Sequence, residues 1–193
     1  DDIAGLAVID ELRRQVSPDL VDIFYIWHGE PMERVVAAGD DCRHHYLEDL
    51  SGLTDRRPQL AISVLLQLLT GRIWRRDLRS LTASAQAAEI VLVSPAGSNI
   101  GIYKDWTYLL VLATLVRNGV RPVFHLNTIG PSGSKIFDWV ARRVLRRCQI
   151  YVREQASHEW LADLGMNSLL GVDSALLTGM PTRSPLAHRP IVV

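Results

Sequence analysis

The alternation of apolar and polar positions becomes regular from residue 89 onwards. Short apolar runs such as IVLVS at 90–94 and QIYV at 149–152 are typical of buried strands, and the segments between such runs repeat their apolar side chains every three or four residues, as helices do. Strands that alternate with helices across short loops fold as right-handed βαβ units. We therefore predict an α/β fold, with a Rossmann-like parallel sheet and helices on both faces. The other elements predicted in this half are a helix at about 105–117, a strand at 121–126, a helix through Ile136, Val140 and Val144, a helix from Ser157, and a strand at 168–171.

Before residue 89 the pattern is less regular. Between 29 and 57 no period is sustained, and we predict mixed loop there with one short helix near 32–38. The other elements predicted in this half are a helix at 3–16, a strand at 21–27, a helix at about 58–69, and a helix through Leu78, Leu81, Ala85 and Ala88.

The two ends of the chain suggest a piece of a longer protein. The chain opens on Asp1-Asp2 without an initiator methionine, and the segment MPTRSPLAHRP near the other end has the proline content of a linker. We predict a Rossmann-like N-terminal domain at 1–179. Residues 180–193 are predicted to be a linker and the first strand of a C-terminal domain that is otherwise absent.

Composition and charge narrow the functional classes. The chain has 21 basic and 21 acidic residues, and this balance argues against a domain that binds nucleic acid by neutralising phosphates. Cys42 and Cys148 fit no metal or redox spacing, which indicates a reducing compartment. We find no signal peptide, and no apolar run approaches the roughly 20 residues of a membrane span. We predict a cytoplasmic protein with no nucleic-acid partner, no metal and no transmembrane segment.

Ligands of open parallel sheets bind beyond the carboxyl ends of the strands, and two of the loops there contain two glycines each. The loop PAGSNIG offers Ser98 and Asn99 as hydrogen-bonding side chains, although it reads equally well as a plain strand-to-helix turn. In IGPSGS, Gly130 suits a tight turn at positive φ. Ser132 or Ser134 caps the following helix, whose N-terminus is a potential anion site, and a simple capped turn is the plainer interpretation.

Charged residues mark the two remaining loops. Arg153 and Glu154 follow a buried strand, and an arginine held by a neighbouring carboxylate is a pre-oriented fork for an anionic or polyhydroxyl ligand. The alternative is a structural pair that pins adjacent loops. Ser157 reads as the N-cap of its helix, and Asp173 is placed either to orient a sugar hydroxyl or to cap a turn.

The histidines give a weaker signal. The pair His44-His45 and the single His125 show no metal-ligand spacing. A lone histidine near a strand end reads as a core residue whose hydrogen bonds are satisfied.

Four motifs in order carry a resemblance to a known family. The series SPAGSNIGIYKDW, RPVFHLNTIGP, IYVREQASHEWLADLG and GVDSALL resembles the polysaccharide pyruvyl transferase family, whose members carry a glycine loop, a "siGP" turn, a "VRE..S" block and a closing "D.a" block. Asp1-Asp2 before an apolar helix is similar to the remainder of the family's N-terminal "GD" motif. Two motifs depart from the family pattern: its "GGG" loop reads SPAGSNIG here, and its "QSIGP" turn reads NTIGP.

The resemblance implies an activity and an architecture. It implies one half of a GT-B-like two-domain protein, in which the Arg-Glu-x-x-Ser block borders the cleft between two Rossmann-like domains. The implied reaction moves a pyruvyl group from phosphoenolpyruvate, a donor substrate and not a cofactor, to two hydroxyls of a sugar in a cell-surface glycan or its lipid-linked precursor. The implied location is the cytoplasm, at the inner face of the membrane. The substrate-binding residues that we expect are Asp2, Ser98, Asn99, Gly130, Arg153, Glu154 and Asp173.

The same resemblance leaves the catalytic residues unassigned. The general acid and the basic donor-binding residues are expected in the missing C-terminal domain, so we expect this piece to fold without being active by itself. Two alternatives to a pyruvyltransferase stay open: a GT-B glycosyltransferase that uses a nucleotide-sugar, and a non-catalytic glycan-binding relative.

Overall fold

The computed structural model describes residues 8–9, 20–26, 42–51, 57–94 and 97–172. The strands in this part of the chain are β1 (Val21–Tyr25), β2 (Cys42–Tyr46), β3 (Leu92–Val93), β4 (Val123–Asn127), β5 (Gln149–Val152) and β6 (Leu169–Leu170). The helices are α1 (Glu48–Ser51), α2 (Arg57–Thr70), α3 (Arg76–Ala87), α4 (Trp106–Arg117), α5 (Lys135–Leu145) and α6 (Gln155–Asp163).

The described strands form two parallel sheets. β1 pairs with β2, and the larger sheet has the order β3-β4-β5-β6, with each strand parallel to its neighbour. The chain passes through α4, α5 and α6 between the strands of the larger sheet. This arrangement confirms the predicted α/β, Rossmann-like class.

The core lies between the larger sheet and its helices. Nearly every residue of α4 is buried, as its apolar sequence WTYLLVLATLVR predicts, and the helix packs between α2 and the sheet. Alternate residues of the strands, Phe124, Ile150 and Val152, are buried in one cluster with the apolar stripe of α5. The ring of Tyr108 on α4 meets Phe124 edge-on at 6.5 Å. Buried residues of α4, α5 and α6 belong to the same core cluster as these strand residues.

Strand β4 contains one residue more than its partner β5. Phe124 lies opposite Ile150 and Asn127 lies opposite Val152, so three steps along β4 match two along β5. The extra residue is accommodated at Leu126, whose φ is +58°. A bulge of this kind bends the strand and re-aims the side chains beyond it, which here are those that leave the sheet at its carboxyl end.

The strand β2 was not predicted from the sequence. Its residues CRHHY lack an apolar alternation. The strand pairs with β1 through the backbone, and its side chains also contact side chains of β1. Asp22 accepts hydrogen bonds from Arg43 Nε at 2.9 Å and from the His45 ring at 2.9 Å, and the His45 ring stacks on Phe24 at 4.5 Å. The prediction of mixed loop through this stretch was therefore wrong for 42–51, where β2 and α1 lie.

Other predicted bounds need smaller corrections. The strands predicted at 90–94 and 168–171 are two residues long, the strand predicted at 121–126 begins and ends later, and α6 begins two residues before Ser157. Ala88 is the C-cap of α3 and not part of it. The described residues 8 and 9 are helical, in agreement with the helix predicted at 3–16, and the short helix predicted near 32–38 lies outside the described residues. Within the described part, no helix is long and apolar enough to cross a membrane.

Candidate functional site

Loops at the carboxyl end of the larger sheet are joined to one another by hydrogen bonds. The Gly130 N–H donates to the Ile100 carbonyl at 3.0 Å, which connects the loop after β4 to the loop after β3. The Ile129 N–H donates to the Ser157 hydroxyl at 3.0 Å, which connects the loop after β4 to α6. Successive βα units therefore form one continuous surface, which we call the carboxyl edge. We predicted that the loops that begin at 97, 127 and 153 converge at one edge of the sheet, and the structure confirms this.

The loop after β3 is folded around Ser98. The Ser98 hydroxyl accepts a hydrogen bond from the Ile102 N–H at 3.4 Å, and its carbonyl accepts one from the Tyr103 N–H at 3.3 Å. A side chain at Gly101, which is buried, would collide with the Ser98 hydroxyl. Ser98 therefore shapes this loop. Asn99 lies at the start of the same turn, where its carbonyl accepts from the Asp105 N–H at 3.1 Å.

The same loop places a cation at the carboxyl edge that the sequence analysis did not identify. Lys104 has φ +51°, in the left-handed region that few non-glycine residues adopt, and it lies immediately before the helix cap Asp105. Strained backbone of this kind concentrates at functional sites. The neighbouring Tyr103 is exposed.

In the loop after β4, the roles of the glycines and serines differ from the prediction. The glycine in the left-handed region is Gly133, with φ +73°, whereas Gly130 lies outside that region. The prediction of positive φ at Gly130 was wrong, because its role is to donate its N–H to Ile100. Ser134 is the N-cap of α5, since its hydroxyl accepts from the Phe137 N–H, and Asp138 accepts from the Ser132 N–H at 3.0 Å. The start of α5 is thus a capped turn and not an open anion site.

Arg153 contacts the loop after β4 directly, and Glu154 is connected to it through Ser157. The Arg153 Nε–H donates to the Thr128 hydroxyl at 3.1 Å, and Arg153 is half-buried. Glu154 accepts a hydrogen bond from the Ser157 hydroxyl at 3.3 Å, and that hydroxyl in turn accepts the Ile129 N–H. The carboxylate therefore orients a serine that holds the turn, while the guanidinium is oriented by a threonine.

For one residue of this network the sequence-based prediction was wrong, and for another no role was predicted. Ser157 is not an N-cap: the cap of α6 is Glu154, and Ser157 lies buried within the first turn, facing Ile129. Asn127 was missed, although it is buried and its side-chain amide donates to the Ser94 carbonyl at 2.9 Å. The Asn127 side-chain oxygen is buried without a hydrogen-bond partner among the described residues. The sequence signal was available, since Asn127 begins the NTIGP turn.

At the far side of the edge, Gly171 closes the described part of the sheet. Its N–H donates to the Val152 carbonyl at 2.8 Å, and a Cβ atom there would lie 2.5 Å from Cδ2 of Leu126. Val172 is the last described residue. Asp173, like Asp2, lies outside the described residues.

Burial also affects His125 in the middle of β4. Burial lowers the pKa of His125, and its Nε2 atom has no hydrogen-bond partner among the described residues. The prediction of a core histidine with satisfied hydrogen bonds was therefore wrong for this nitrogen. In the described part of the chain, no group of three or more His, Cys, Asp or Glu side chains is arranged to hold a metal ion.

Comparison with known proteins gives one match. A family model described as polysaccharide pyruvyl transferase matches residues 2–191, nearly the whole of the 193-residue chain. No curated protein and no solved structure matches the chain significantly. The matched range includes the carboxyl edge and the segments that contain Asp2 and Asp173.

Proposed function

The chain belongs to the polysaccharide pyruvyl transferase family, and we propose that it transfers a pyruvyl group from phosphoenolpyruvate to a sugar of a cell-surface glycan or its lipid-linked precursor. The observation that carries this proposal is the family match across residues 2–191. The hydrogen-bonded loops at the carboxyl edge support it, because they bring Arg153, Thr128 and Lys104 to the end of a parallel sheet at which ligands bind. A cytoplasmic site at the inner face of the membrane suits a lipid-linked acceptor, and it is part of the proposal.

The proposed reaction needs only proton transfers, one addition and one substitution at the same carbon. A general acid protonates the methylene carbon of phosphoenolpyruvate, which makes its C2 electrophilic. One sugar hydroxyl adds to C2 and loses its proton. The second hydroxyl then replaces the phosphate at C2, so that the products are a cyclic ketal and inorganic phosphate. Both hydroxyl protons are accounted for, one in the new methyl group and one on the phosphate or in solution.

We assign the carboxyl edge to orientation of the substrates. Arg153 is the strongest candidate for direct contact, because its Nε is held by Thr128 and a planar guanidinium donates to two oxygen atoms at once. Asn99, Asp2 and Asp173 complete the proposed contact set. Ser98, Gly130 and Glu154 act instead by shaping the loops, since their described contacts are within the protein. The general acid and the groups that bind the donor phosphate are not assigned to any described residue.

The test is a product assay on the full-length protein with phosphoenolpyruvate and a panel of glycans that present 4,6-diols or vicinal diols. We expect inorganic phosphate and a ketal methyl signal in the proton NMR spectrum, in equal amounts. Arg153→Lys should lower the rate, whereas Arg146→Lys, at an exposed arginine beyond α5, serves as the matched control. Transfer from a nucleotide-sugar would establish the glycosyltransferase instead. Glycan binding without any transfer would establish the non-catalytic relative.

A further inference from the structure

Helix α2 exposes apolar side chains on the side opposite its packed face. Leu60 and Val64 are buried in the core shared with α4, as the inward side of such a helix requires. Ile62, Leu66 and Leu69 recur at helical spacing on the other side and are all exposed, Leu69 by 76%. Just beyond the helix, Trp74 is 71% exposed. These four residues form what we call the outer stripe.

The outer stripe ends in a strongly basic segment. The sequence GRIWRRDLR at 71–79 contains four arginines and one acidic residue, Asp77, in a chain whose net charge is zero. The guanidinium of Arg72 lies over the Trp74 ring, 5.5 Å from its centroid. Arg117, at the end of α4, packs against Gly71 and adds another cation, since its side chain lies 3.3 Å from the position of a Cβ there. Large exposed apolar side chains and arginines are thus combined at one place.

We propose that the outer stripe and its arginines bind an anionic membrane surface. In this arrangement Leu69 and Trp74 enter the boundary between headgroups and acyl chains, and Arg72, Arg76 and Arg117 contact lipid phosphates. Tryptophan is suited to this depth because its ring is apolar and its N–H is polar. This inference is independent of the proposed transfer reaction, because it concerns a helix face and not the carboxyl edge.

The arginines favour a membrane over the other partners that an apolar stripe could have. A second copy of the chain, docked through the same surface, would bring one acidic residue of the segment 71–79, Asp77, to meet Arg72 and Arg76. An apolar segment would supply no counter-charge for Arg72 and Arg76. A bilayer that contains anionic lipids supplies both an apolar layer and a dense array of phosphates within one patch.

The experiment is sedimentation of the protein with vesicles of phosphatidylcholine alone and of phosphatidylcholine with about 30% phosphatidylglycerol. We expect binding to the anionic vesicles that weakens with salt, and about fivefold weaker partition for each arginine removed in Arg72→Gln and Arg76→Gln. Trp74→Ala should weaken partition about tenfold. The matched control is Trp139→Ala on α5, a tryptophan that is 50% exposed and also lies under an arginine, Arg143. That variant should bind like the unmodified protein.

Several outcomes would overturn the proposal. Failure to sediment with anionic vesicles does so directly, and equal binding to both kinds of vesicle removes the role of the arginines. A dimer in light scattering that Leu69→Ala dissociates, without vesicle binding, would assign the stripe to contacts between copies. Circular dichroism of every variant confirms that the fold is retained, and no outcome depends on turnover, so that failure of the proposed enzymatic activity is a separate result.

Discussion

Arg153 and Thr128 are joined by a hydrogen bond of 3.1 Å from the guanidinium Nε–H to the threonine hydroxyl, across two neighbouring βα units. This contact leaves the arginine with a fixed plane at the carboxyl edge. Replacing Arg153 by lysine keeps a positive charge but removes the planar fork. In the full-length protein, we expect Arg153→Lys to lower turnover by about 10- to 150-fold, the loss that corresponds to one charge-assisted hydrogen bond made in the transition state. Melting temperature and turnover should be measured on the same preparation. A large loss of stability would assign Arg153 to the scaffold, and unchanged turnover would remove it from the site.

Thr128 is predicted to act through Arg153. Thr128→Val preserves the shape of the side chain but removes the acceptor, so the arginine should lose its orientation and turnover should fall severalfold. Thr128→Ser keeps the hydroxyl and should restore most of the rate. The rescue by serine is the informative comparison, because a purely packing role for the threonine methyl group would give the opposite order.

Ser157 is predicted to contribute to stability. Ser157→Ala leaves the buried Ile129 N–H without its hydrogen-bond acceptor, which costs about 1–3 kcal/mol of unfolding free energy. Urea denaturation measures this loss. The matched control is Ser63→Ala on α2, where the hydroxyl donates to the Gln59 carbonyl within one helix, and the change there should stay within about 0.5 kcal/mol. Equal effects at the two serines would contradict the assignment.

The two glycines of the joined loops are predicted to differ in their tolerance of alanine. Gly101→Ala collides with the Ser98 hydroxyl, whereas the position at Gly130 is open and its φ lies outside the left-handed region. We expect a clear drop in melting temperature for Gly101→Ala and little change for Gly130→Ala. Adding Ser98→Ala to Gly101→Ala removes the colliding oxygen and should recover part of the loss. No recovery would mean that the loop fails for another reason.

The half-buried His125 predicts a pH dependence of stability. Its pKa is lowered by burial from the ordinary value of 6.5, so below about pH 6.5 the unfolded chain takes up a proton that the folded chain does not. Stability should therefore fall as the pH drops from 6.5 towards the folded pKa, and this contribution should be constant above 6.5. Urea denaturation of the protein and of His125→Gln, between pH 7.5 and 5, tests this. The two curves should run parallel near pH 7.5 and diverge below 6.5, and parallel curves throughout would contradict it.

The sequence predicted the part of the fold in which local pattern and tertiary packing agree. Strand β5 contains a short apolar run, and the helix α4 is apolar on nearly every side, so both were recognised directly. The strand β2 was missed because its stability comes from cross-strand contacts between Asp22, Arg43 and His45, which no period along the chain reveals.

The sequence predicted which loops form the candidate site, but it did not predict what each residue in those loops does. The rule for parallel sheets selected the three described loops that are now seen to converge. The roles depended on directions in space: Ser157 faces across to Ile129 instead of capping its helix, and Gly133, not Gly130, takes the left-handed turn. Glycine and serine are compatible with several roles at such positions, and only the neighbouring strands decide among them.

Because β4 has one extra residue, the directions of the side chains at the carboxyl edge depend on the length of this strand as well as on its residues. Asn127 and Thr128 point where they do because the chain gains one residue between Phe124 and Asn127. Deleting Leu126 would remove the bulge, and with it the local bend that aims Asn127 and Thr128. The contacts with Ser94 and Arg153 would be lost in that single step. Point substitutions remove such contacts one at a time, so insertions and deletions in this short strand are the changes to which the edge is most vulnerable.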